Sequence, residues 1–117
     1  MCNDLILINR RLITAAVALQ IVSKPLPGAD MSVIMANTKE AAELWKKNGA
    51  EVSVWTVSVG EVGNLVFTAR WENYAAYGKT MDALLGDKAI QTLMAKITAS
   101  GAAEWVRSNL VREISFG

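Results

Sequence analysis

The segment from Val52 to Trp71 restricts what this chain can fold into more than any other part of it. Two runs rich in β-branched and aromatic residues, Val52-Ser-Val-Trp-Thr-Val-Ser-Val59 and Asn64-Leu-Val-Phe-Thr-Ala-Arg-Trp71, flank Gly60-Glu-Val-Gly63. Strand-forming residues on both sides of a glycine-bounded turn predict a β-hairpin. Successive side chains of a strand point to opposite faces. Trp55, Val57 and Val59 therefore oppose Val52 and Val54 in the first run. Leu65, Phe67, Ala69 and Trp71 oppose Val66, Thr68 and Arg70 in the second. No set is polar enough to face water across a whole sheet. One layer of helices covers one face only, so the pattern predicts a second copy of the chain against the other.

The flanking segments supply the rest of a domain. Val17, Leu19 and Ile21 alternate with Ala18, Gln20 and Val22, which predicts a first strand over about 15–23. Lys24-Pro-Leu-Pro-Gly28 ends it. A helix follows from Ala29 or Asp30 to Asn48, with an apolar stripe of Met31, Ile34, Met35, Thr38, Ala41, Ala42 and Trp45. Asn48-Gly49 suits its C-terminal end, and Lys46 and Lys47 suit the dipole there. Asn73 is a candidate N-cap for the next helix, with Tyr74, Tyr77, Met81, Leu84 and Leu85 at helical spacing. Gly86-Asp87 interrupts it. Ile90, Leu93, Met94 and Ile97 then continue a stripe toward Ala99, and a last strand runs over about 104–115. The order βαββαβ predicts an α+β, ferredoxin-like domain. Its four-stranded antiparallel sheet carries two helices on one face. The domain spans residues 13–117. Residues 1–12 are an extension in which Leu5-Ile-Leu-Ile8 could add a short strand.

At 117 residues the chain is one domain. It is 52% apolar and 20% charged, against about 45–50% and about 25% in an average soluble domain. The excess is modest and in the direction of an oligomer. Twelve basic and eleven acidic residues are scattered without a basic stripe, which argues against nucleic acid as a partner. The chain has no His, which excludes His-ligated haem, His-containing zinc sites and His-based catalysis. Its one Cys, Cys2, cannot form an intrachain disulfide, so a cytoplasmic location is expected. The apolar run Thr14–Val22 after Arg10-Arg11 is too short to span a bilayer, where about 20 residues are needed. No small-residue cleavage site follows it, so neither a leader nor a membrane anchor is read there. Gly60 and Gly63 join two strands and open no helix, so they form no dinucleotide loop. Glu61, Glu72, Asp82 and Asp87 are spread over turns and helix faces and read as solvated charges or caps. No metal site is expected.

Three features carry a family resemblance: the element order, the Lys24–Gly28 turn, and Gly63-Asn-Leu-Val-Phe-Thr-Ala-Arg-Trp71 followed by Glu72-Asn-Tyr-Ala-Ala-Tyr77. Over about residues 15–116 the chain resembles the dimeric α/β-barrel superfamily. Within it, the NIPSNAP-like and antibiotic-biosynthesis-monooxygenase-like members are most similar. The resemblance implies a homodimer joined through its sheets into an α/β barrel. It also implies a cavity for a small apolar or aromatic molecule, and no cofactor. In some members Asn, Trp and Tyr hold a phenolic substrate that itself passes an electron to oxygen. By that likeness Trp71, Asn73 and Tyr77 are the candidate catalytic residues of a cofactor-independent monooxygenase. Tyr74, Phe67, Trp55 and Arg70 are the candidate ligand contacts. Trp N–H, Asn amide and Tyr O–H are the donors a developing phenolate needs. The plainer alternative is structural. Trp71 closes the core, Asn73 caps a helix, Tyr74 and Tyr77 belong to its apolar stripe, and Arg70 and Arg107 form ion pairs at the rim. The competing function is a non-catalytic dimeric module with a filled core.

Overall fold

The structure, a computed structural model, describes residues 16–116. The extension 1–12, the short strand read at Leu5–Ile8, Cys2 and the first residue of the expected strand at Ala15 lie outside the described residues. The elements are β1 (Val17–Pro25), α1 (Met31–Lys47), β2 (Glu51–Thr56), β3 (Leu65–Trp71), α2 (Tyr74–Leu85), α3 (Lys88–Ser100) and β4 (Ala103–Arg112). The strands form one sheet in the order β2-β3-β1-β4 with every neighbouring pair antiparallel. This is the ferredoxin-like α+β arrangement that the sequence predicts.

Local chemistry sets the boundaries. Asp30 caps α1 by accepting from the Ser32 amide at 2.9 Å, and Asn73 caps α2 by accepting from the Ala76 amide at 2.9 Å. The second helical segment is divided, giving three helices rather than two. Gly86 ends α2, and Asp87 opens α3 by accepting from the Ala89 amide at 2.9 Å. β2 stops at Thr56, three residues before the expected end at Val59. The Val57 amide donates to the Asn64 carbonyl and the Gly63 amide returns to the Val57 carbonyl, both at 2.9 Å. That closes a loop in which Gly60 and Gly63 hold φ of 100° and 90°. Val59, 90% exposed, belongs to this loop and to neither face of the sheet.

The register places the faces. Val17, Leu19 and Ile21 of β1 pair with Trp71, Ala69 and Phe67 of β3, and Val52 and Val54 of β2 pair with Ala69 and Phe67. These residues share the face that the helices cover. A core of Val17, Ala50, Ala69 and Trp71 is buried there, with Trp45, Phe67, Tyr77 and Met81 packed against it. Among the described residues no helix lies on the opposite face. It presents Ala18, Gln20, Val66, Thr68, Arg70, Ser53, Trp55, Asn109 and Val111. It is more polar than the sequence predicts, because Trp55 stands there without Val57 or Val59. Val22, also on this face, is buried. Its partner Arg107 makes an ion pair with Glu61 of the hairpin loop at 3.1 Å, so the loop arches across β1 at that point.

A bulge completes the geometry. Val22 pairs with Arg107 and Ser23 with Trp105, leaving Val106 as the extra residue of β4. A bulge of this kind returns the next side chain to the face it would otherwise leave. Trp105 and Ser108, three residues apart, consequently lie on the helix face together, and Trp105 Nε1 donates to Ser108 Oγ at 2.9 Å.

Candidate functional site

Two hollows border the sheet, and they differ in chemistry. The larger, about 520 Å3, is polar and lies at the sheet end beside Arg70, Glu51, Glu72 and Glu113. The smaller, about 320 Å3, runs between the helix-facing side of the sheet and helices α1 and α3. Its walls are Ile21, Val54, Leu65 and Phe67 from the sheet, Ile34, Ala41 and Trp45 from α1, and Met94 and Ile97 from α3. Small-molecule sites are concave, mostly apolar and marked by few polar groups. Size favours the first hollow and chemistry the second. Chemistry decides, because charged groups dominate the lining of the larger hollow and its Arg70 already pairs with Glu51 and Glu113.

The cleft exists because the cover over the sheet is incomplete. Trp45 meets Phe67 edge-on with ring centroids 5.5 Å apart and lies 6.2 Å from Trp71. These rings fill one end of the layer between sheet and helices. Toward the other end α1 and α3 are held together by the Lys96–Glu40 ion pair at 2.6 Å. There the lining is Leu65 and the small residues Ser23, Ala102 and Ala103, with Glu104 and Trp105 beside them. Trp105 is 67% exposed and stands at the mouth. Met94, in the same wall, is also exposed.

The residues singled out from the sequence divide among several places. Trp71 is buried, and its Nε1–H donates to Thr80 Oγ1 at 2.8 Å. Thr80 in turn donates to the Asn48 carbonyl at 2.6 Å. Tyr77 packs edge-on against Trp71, centroids 5.0 Å apart. The Asn73 side chain caps α2. Trp71, Asn73 and Tyr77 are thus neighbours, but the indole N–H and the capping amide oxygen are committed to protein partners. Tyr74 is more than half exposed on the first turn of α2. Phe67 lines the apolar cleft. Trp55 lies on the opposite side of the sheet from Phe67, 61% exposed, with its Nε1 donating to Ser53 Oγ at 3.1 Å. No single ligand touches both. Arg70 lies on that open side and bridges Glu51 at 3.7 Å and Glu113 at 3.6 Å. Arg70 and Arg107 therefore form the rim ion pairs that the plainer reading expects.

Two residues of the cleft, Trp105 and Asn37, and one structural bridge beside Trp71, Thr80, escape the sequence reading. Trp105 reaches the cleft only through the bulge, which periodicity does not announce. Asn37, on the buried side of α1, interrupts the expected stripe while Met31 and Met35 are exposed. Thr80 is 2% exposed and joins α2 to the end of α1, yet a lone Thr in a helix gives no signal. Among the described residues no group of His, Cys, Asp and Glu could hold a metal ion. Among the described residues no helix is long and apolar enough to cross a membrane.

Solved structures share this fold. A NIPSNAP family protein from Agrobacterium tumefaciens superposes with a TM-score of 0.71 at 8% identity, covering 89% of this chain and 90% of its own. A second from the same organism, of unknown function, gives 0.68 at 13% identity, covering 89% and 92%. SnoaB, a cofactor-independent oxygenase from Streptomyces nogalater, gives 0.61 at 9% identity, covering 83% and 91%. No family model matches the sequence, and no curated protein does. The fold is the one these NIPSNAP and oxygenase structures have, and at such identities fold is what the likeness shows.

Proposed function

We propose that this chain, built on the fold of the NIPSNAP proteins and SnoaB, binds a small apolar or aromatic molecule between its sheet and helices. The observation that carries the reading is the 320 Å3 cleft walled by Trp45, Phe67, Ile21, Val54 and Met94, with Trp105 at its mouth. Water gains little in such walls, and an apolar guest removes their surface from solvent at about 25 cal/mol per Å2. The polar hollow offers no such gain, because its Arg70 already has two carboxylate neighbours.

Turnover of a phenol by Trp71, Asn73 and Tyr77 finds less support. It would require Trp71 Nε1 to leave a 2.8 Å bond to Thr80 and the Asn73 oxygen to release the α2 amide. Binding is accordingly the reading, and the oxygenase activity of SnoaB stays with SnoaB. We further propose that two copies pair through the open sheet face, with Trp55 and Val111 as its exposed apolar members. This face lies on the far side of the sheet from the cleft, so pairing leaves the cleft accessible.

Naphthalene titration by calorimetry tests the binding reading. The unmodified chain takes up one molecule, and Ala41→Trp, which fills the cleft from α1, abolishes uptake while the circular dichroism spectrum is kept. Equal binding by both proteins, or none by the unmodified chain, contradicts it.

A further inference from the structure

Among the described residues, Asn37 is the buried polar residue of the cleft that has no partner. It sits on α1 between Ile34 and Ala41, three residues after one and four before the other, and shares their face. It is 9% exposed. Its amide makes no hydrogen bond to any described residue. The neighbouring Thr38 is different, because its hydroxyl folds back to the Ile34 carbonyl at 2.7 Å. A buried amide without partners is unfavourable, and most such groups in proteins are satisfied. No sealed side-chain nitrogen or oxygen lacks a partner among the described residues, so the Asn37 amide remains reachable from the cleft. Whatever enters the cleft can satisfy it.

The surroundings restrict what that is. No Lys or Arg lines the cleft, and the one ionisable residue beside it, Glu104, is acidic. An anionic head group would lose its hydration there without gaining a counter-charge. A primary amide both donates and accepts, which suits an uncharged carbonyl or hydroxyl.

Resting on the cleft being the binding site, we propose that Asn37 is its recognition residue. The ligand is a neutral aromatic molecule bearing one carbonyl or hydroxyl group. Its ring lies against Trp45 and Phe67, and its oxygen meets the Asn37 amide. The acid form of the same skeleton is rejected.

Three probes of one size test this by calorimetry at pH 7: 1-naphthol, naphthalene and 1-naphthoate. The unmodified chain binds 1-naphthol about five- to tenfold more tightly than naphthalene, as one hydrogen bond predicts. It binds the naphthoate weakest of the three. Asn37→Leu, close in shape, retains naphthalene and binds the two neutral probes equally. Without any ligand, Asn37→Leu leaves the melting temperature unchanged or raises it, because the amide it removes has no partner among the described residues. Equal affinity of the unmodified chain for naphthol and naphthalene overturns the role of Asn37 and leaves the cleft reading standing. So does a naphthol preference that survives in Asn37→Leu. A sharp fall in melting temperature shows that the amide serves the fold and overturns the proposal. Failure of naphthalene itself to bind the unmodified chain removes the cleft reading and this inference together.

Discussion

At the scale of single side chains, the Thr80 hydroxyl accepts from Trp71 at 2.8 Å and donates to the Asn48 carbonyl at 2.6 Å. One oxygen thereby ties the last residue of β3 to the end of α1 through the middle of α2. Gly49, at φ 102°, passes close enough that a Cβ there would stand 3.4 Å from the same oxygen. Removing the hydroxyl leaves a buried donor and acceptor without partners, at about 1–3 kcal/mol for each such group. Thr80→Val therefore destabilises the fold by about 2 kcal/mol or more in urea unfolding, and Thr80→Ser recovers most of the loss. Equal stability of Thr80→Val and the unmodified chain would show the bridge to be idle. Trp71 was legible in the sequence as important, since a Trp ending a strand before an N-cap must be placed. Its partner was not legible, because the hydrogen bond joins residues brought together only by the packing of α2 on the sheet.

The caps act at the scale of elements. Asp30 accepts from both the amide and the hydroxyl of Ser32, at 2.9 and 2.6 Å. Those bonds hold its carboxyl below the ordinary carboxylate range. A carboxyl depressed on folding stabilises the folded state above its unfolded pKa. That contribution disappears as pH falls through the lower, folded value. Acidification below about pH 4 should lower the melting temperature of the unmodified chain more than that of Asp30→Asn, which caps without titrating. Parallel curves for the two proteins would remove this role. Element order, the hairpin, the Gly86-Asp87 break and the caps at Asn73 and Asp87 are legible, because each rests on local chemistry or on a strong period, whereas Asp30 reads only as a possible start of the first helix. The bulge at Val106 is not legible, since it appears only when β4 is paired with β1. Periodicity therefore gives no sign of Trp105, although that residue stands at the mouth of the cleft. The expected stripe of α1 differs from the structure at Met31 and Met35, which are exposed, because apolar residues at helical spacing do not reveal how far the sheet beneath them extends.

At the scale of the whole molecule, the sheet has one covered face and one open face, and the two serve different purposes in this account. The sequence placed Trp55 with Val57 and Val59 and so overstated how apolar the open side is. Parity within a strand was right, but the strand ended earlier than expected, at Thr56. What remains exposed there is Trp55 and Val111 among polar neighbours, with the Glu61–Arg107 pair arching over one end. Native mass spectrometry should find twice the 12.7 kDa chain mass, and Trp55→Lys should return it to a monomer that still binds naphthalene. A monomer before substitution would contradict pairing without touching the cleft. The covered face carries the central claim, which is that a small neutral aromatic molecule enters between sheet and helices. The most direct test is a titration of isotope-labelled protein with 1-naphthol, followed by two-dimensional NMR. The account predicts saturable shifts that cluster at Asn37, Ala41, Trp45, Phe67 and the Trp105 indole. Shifts centred on Arg70 and Glu113, or none at saturating naphthol, would contradict it.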